Sequence, residues 1–170
     1  MIADEFDAFV TPLQRNRARA LPWLTVMAGS LVTAIPLIAT VPLLPPCGLL
    51  MLLAWRLLFR FSMRPWAAAP LGLLDDLVSG QPLGSAVLLW SACFLLVDLI
   101  DQRLVFRDFW LDWLIATGLI VFCLAAGRFI AVPLEAHVDL AMLMQGVAAV
   151  LLFPIATRLV AWVDGKRGYR

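Results

Sequence analysis

Apolar residues fall in six runs, at about 21–44, 47–61, 66–80, 82–100, 110–132 and 138–162, separated by short breaks that carry charge, Pro or Gly. The pattern predicts an all-α, polytopic integral membrane protein: a six-transmembrane-helix bundle with short loops. At about 1.5 Å per residue, the first, fourth, fifth and sixth runs reach the roughly 30 Å of a bilayer core. The second and third come to only about 22–24 Å, so they need flanking residues, local thinning or a buried re-entrant path to complete a crossing.

Charge sets the orientation. With the amino-terminus inside and six crossings, Arg15, Arg17, Arg19, Arg56, Arg60, Arg64, Arg103, Arg107, Arg158, Lys166, Arg167 and Arg170 all fall on the cytoplasmic side, leaving only Arg128 of the 13 basic residues opposite. That is the asymmetry of the positive-inside rule, and removing one crossing scrambles it. Trp23, Trp66, Trp110, Trp113 and Trp162 fall at the same ends, as an interfacial aromatic belt requires. Both termini are therefore expected in the cytoplasm. A cytoplasmic arm is expected over 1–20, a six-helix membrane domain over 21–163 and a basic cytoplasmic tail over 164–170. The arm is polar and lacks the basic start, short apolar run and small-residue site of a secretory signal, so the first run reads as a retained anchor.

Composition narrows the classes. Of 170 residues, 63% are hydrophobic and 15% charged, against about 45–50% and about 25% in soluble domains, and mean hydropathy is +0.93. A net charge of +1 provides no basic face for nucleic acid, which is excluded as a partner; the lipid bilayer is the expected surroundings. Cys47, Cys93 and Cys123 stand singly in apolar stretches and read as small buried hydrophobes.

Prolines mark turns and bends. Pro42, Pro45 and Pro46 break the first helix from the second, and Pro133 ends the fifth. Pro36 and Pro154 lie inside the first and sixth runs, where each removes a backbone hydrogen bond and bends its helix.

The segment from Gly72 to Gly84 holds the most chemistry. At helical spacing Gly72, Asp76, Ser79 and Gly80 share one small, polar face, with Leu74 and Leu77 on an apolar one. An ionisable group in a membrane segment marks a functional site unless it is structurally engaged. Asp76 is one turn from the outer end, where its carboxylate can accept N–H bonds from the turn opening the next helix, with Pro82 suited to that helix's first position. The neighbouring Asp75 points about 100° away and is expected to tolerate Ala.

The pattern Gly72-x3-Asp76-Leu77-x-Ser79-Gly80-x2-Leu83-Gly84, preceded by the apolar stretch Leu49 to Trp55, resembles the signature of the MreD family of rod-shape-determining proteins. Chain length, six-helix hydropathy and the late Pro154 fit the same family. The resemblance implies a non-catalytic component of the bacterial cytoplasmic (inner) membrane that scaffolds or regulates lateral peptidoglycan synthesis. By the same resemblance its partners are MreC, the MreB filament, the glycan polymerase RodA and a class B penicillin-binding transpeptidase. Asp75 is an acid beyond the family's usual one.

Other groups are weaker candidates. Glu135, His137 and Asp139 are expected in the last outer loop, and a single histidine with loop carboxylates makes a poor metal site; no metal or cofactor is expected. Asp98, Asp101, Arg103, Arg107 and Asp108 read as a mixed-charge rim of small energetic weight, and Arg128 as a side chain reaching headgroups or Glu135. Ser79 has no helically spaced histidine, so no nucleophile–base pair supports an enzyme. The competing reading is a substrate-binding membrane subunit of a vitamin-type transporter, whose outer-half polar residues would include Asp75, Asp76, Ser79, Gln81, Glu135, His137, Asp139 and Gln145.

Overall fold

A computed structural model describes residues 12–34, 45–59, 63–80, 82–103, 108–131 and 136–166, and side chains at 20–33, 45–59, 63–80, 82–103, 108–128 and 142–166. The described residues form six α-helices: α1 Pro12–Ala34, α2 Cys47–Leu58, α3 Ala68–Ser79, α4 Ser85–Arg103, α5 Phe109–Ala131 and α6 Ala136–Gly165. A single 3-10 turn, Pro65–Ala67, leads into α3. The expectations about Pro36, Pro42, Gln81, Arg107, Pro133 and Glu135 lie outside the described residues.

Helix α2 is the centre of the bundle. Nine of its residues, Gly48 to Leu50 and Leu52 to Leu57, are buried, which requires a helix apolar nearly all round. It packs on α1 and α6 and also touches α4 and α5, whereas α3 lies against α1 and α4. Glycine lets α1 and α2 cross closely: a Cβ on Gly29 would sit 2.9 Å from the Cys47 carbonyl oxygen. The Trp55 indole N–H closes the crossing further along by donating to Thr25 Oγ1 at 2.7 Å. Phe94, Phe153, Leu71 and Ile120 are fully buried in the same core as Trp55.

Pro154 sits inside α6. Lacking an N–H, it leaves the carbonyl four residues earlier without its helical donor. That carbonyl belongs to Val150, and the Trp113 indole of α5 donates to it at 3.2 Å. The proline position in α6 is thereby tied to its neighbour.

Among the described residues, three helices are long and apolar enough to cross a membrane, within Ser85–Arg103, Phe109–Arg128 and Met142–Gly165. Their outward faces carry Leu88, Leu95, Leu114, Val121, Leu143, Leu151 and Ile155, all exposed, as lipid-facing positions are. Exposed Trp66, Trp110 and Trp162 cluster with other aromatic rings and with Lys166: Trp23 lies 5.7 Å from Trp66, Trp110 is 5.8 Å from Trp113, and Lys166 Nζ is 3.6 Å above Trp162.

Several boundaries differ from the apolar runs. Helix α1, Pro12–Ala34, includes part of the segment expected as an arm, whose Arg-rich sequence is a good helix former. Helices α2 and α3 have 12 residues each, about 18 Å, shorter than their runs. His137 and Asp139 lie on the first turns of α6 rather than in a loop, and α6 continues through the first residues of the expected tail. Pro82 stays outside α4, its carbonyl accepting the Ser85 N–H at 3.1 Å.

Candidate functional site

Two helices meet at the carboxyl-terminal end of α3. Gly80, with φ of 69°, ends α3 in the left-handed conformation that glycine adopts without strain, and its N–H bonds the Asp76 carbonyl at 3.1 Å. The chain then turns through Gly84, φ 98°, into α4. Asp76, buried to 1% exposure, closes this turn from the preceding helix. Its Oδ2 accepts the Gly84 N–H at 2.8 Å, and its Oδ1 accepts both the Ser85 hydroxyl and the Ala86 N–H at 2.9 Å. A helix start exposes N–H groups without intrahelical partners and bears partial positive charge. One carboxylate answers both needs with three charge-assisted bonds.

The approach of α4 that makes this possible depends on Gly72. A Cβ there would lie 2.7 Å from the Val87 nitrogen and 2.8 Å from the Ala86 carbonyl, closer than atoms tolerate. The motif therefore divides differently from the helical wheel. Gly72 and Asp76 face α4, while Ser79 and Gly80 are exposed, and Ser79 spends its hydroxyl on the Asp75 carbonyl at 2.7 Å. Leu77 and Leu83 stand outward on either side of the turn, 61% and 71% exposed. The site is a rigid capped junction flanked by two apolar side chains.

Asp75 also lies close to other helices. A Cβ on Gly48 would meet Ser30 Oγ, Asp75 Oδ1 at 3.2 Å and the Trp90 ring at 3.2 Å, so the carboxylate and the Ser30 hydroxyl lie on the same side of α2. The missing side chain at Gly48 thus lets α1, α3 and α4 converge on the start of α2.

The mixed-charge rim is also different from its sequence reading. Arg56 is buried, pairs with Asp98, lies 3.9 Å from Asp101 and stacks 5.6 Å above Phe94. It joins α2 to α4 inside the bundle. Spacing along the chain gives no sign of this pair, because its members lie on different helices. Glu135, His137 and Asp139 contribute no described side chain, and Gln145 is half-buried on α6. Among the described residues no group of three or more His, Cys, Asp or Glu side chains is placed to hold a metal ion.

These features define an all-helical membrane protein organised around a carboxylate-capped helix junction. A family model described as rod shape-determining protein MreD matches residues 16–163, nearly the whole bundle, and the chain belongs to that family. Its role accordingly lies in rod shape determination. Comparison with curated proteins and with solved structures returned no match.

Proposed function

We propose that this chain is a non-catalytic, multi-pass component of the bacterial inner membrane that scaffolds or regulates lateral peptidoglycan synthesis. The observation that carries the reading is the family match over residues 16–163, which covers the junction, the core helix and the late proline together. MreC, the MreB filament, RodA and a class B penicillin-binding transpeptidase are its partners in this proposal. The motif residues Gly72, Asp76, Leu77, Ser79, Gly80, Leu83 and Gly84 serve recognition indirectly: the glycines and Asp76 hold the turn rigid, and Leu77 and Leu83 are the side chains it presents. A preorganised apolar surface loses little entropy on binding another membrane helix, so small packing gains suffice.

The test is co-purification of wall-synthesis proteins from native membranes, beside depletion in the host. Wall-synthesis proteins are expected to be captured and depleted cells to round up. Normal rod shape after clean deletion, with no paralogue present, sinks the reading. Thermal stabilisation by one member of a vitamin panel would instead favour the transporter-subunit alternative.

A further inference from the structure

Cys93 and Cys123 stand 30 residues apart in sequence, yet their sulfurs are 3.1 Å apart in the structure, inside the packing of α4 on α5. The contact belongs to a regular antiparallel register. One turn earlier on α4, Leu89 Cδ1 lies 3.8 Å from the position a Cβ on Gly127 would occupy, one turn later on α5. Cys93 is fully buried and Cys123 is 7% exposed. Both lie away from their helix ends, at the ninth residue of α4 and the fifteenth of α5. Water-soluble reagents therefore reach them poorly, and the adjoining surface of α5 is apolar and exposed at Val121 and Phe122. Cys47, at the start of α2, has neither thiol as a contact.

We propose that Cys93 and Cys123 are an intramembrane dithiol that a lipid-soluble oxidant of the quinone class closes to a disulfide. Two S–H bonds break and one S–S bond forms. The two electrons and two protons pass to the quinone, which leaves as quinol, so the step balances without a further reactant. Closure fixes α4 to α5 at mid-height, on the same helix whose first residues Asp76 caps.

The test uses the purified full chain in phosphatidylcholine vesicles, treated with a fully substituted decyl-benzoquinone so that thiol addition to the ring is blocked. Free thiols are expected to fall from three to one, and a non-reducing digest to yield a peptide joining Cys93 to Cys123. With Cys47→Ala the count should fall from two to none; with Cys93→Ala both remaining thiols should survive. Retention of all three thiols in the wild-type chain, or a linked peptide containing Cys47, overturns the proposal. So does equal or faster closure by the membrane-impermeant dianion tetrathionate. The wild-type digest alone decides the matter if a variant fails to fold.

Discussion

Asp76 accepts three hydrogen bonds at the start of α4, so its replacement tests the junction directly. Asp76→Ala leaves buried donors without an acceptor, at a cost of about 1–3 kcal/mol. Asp76→Asn is expected to be intermediate. Its carbonyl oxygen can keep the Ser85 and Ala86 bonds, but its amide would face the Gly84 N–H, donor against donor. Thermal unfolding in detergent should rank wild type above Asn above Ala; an Asn variant equal to wild type would show that the Gly84 bond contributes nothing. Gly72→Ala is expected to be comparably damaging, by about 1–3 kcal/mol, because its methyl group would push into the α4 backbone. Asp75, beside Ser30 where α1 and α3 meet the start of α2, is expected to cost stability when changed to Ala. Ser30→Ala should abolish most of the difference between Asp75 and Asp75→Ala in a double-mutant cycle. Adjacent in sequence, the two aspartates separate because a helix turns them toward different neighbours.

At the level of elements, α2 and α4 are joined by a buried charge. Removing Arg56 deprives Asp98 of its guanidinium, and breaking a buried pair from one side costs about 3–5 kcal/mol. Arg56→Met should therefore lower the membrane level of the protein sharply, and adding Asp98→Asn should recover part of it. Recovery is the informative arm, since a role for Arg56 confined to packing would leave the double variant no better than the single. The α5–α6 contact has its own weak point. Trp113→Phe keeps the ring but deprives the Val150 carbonyl, already without its helical donor, of the indole N–H, and should cost about 1–3 kcal/mol. Combining it with Pro154→Ala should offset that loss, because the backbone donor returns.

For the whole molecule, the proposed orientation of six crossings with both ends inside can be tested by cysteine accessibility in a background lacking the native cysteines. A cysteine replacing Gln81 or His137 should label from outside the cell, and one replacing Arg103 should not. Outside labelling at position 103 would remove the six-crossing arrangement. The two short helices do not argue against it: α2 is enclosed by other helices, so little of its length meets lipid, and α3 is extended by the Pro65–Ala67 turn. Mismatch at α3 can be met by modest bilayer thinning.

The sequence by itself determined the helical class, the six helices of the described residues, the membrane setting and the family, because hydrophobic run length and charge placement are local quantities read one segment at a time. It also exposed Asp76 as a cap, since the carboxylate and the turn it closes lie within ten residues. Tertiary structure alone decided that α2 is the core, that Arg56 is buried against Asp98, that Asp75 meets Ser30, and that Cys93 meets Cys123. Each depends on which faces of distant helices come together. An apolar helix looks the same along the chain whether its neighbours are lipid tails or other helices; only packing distinguishes them.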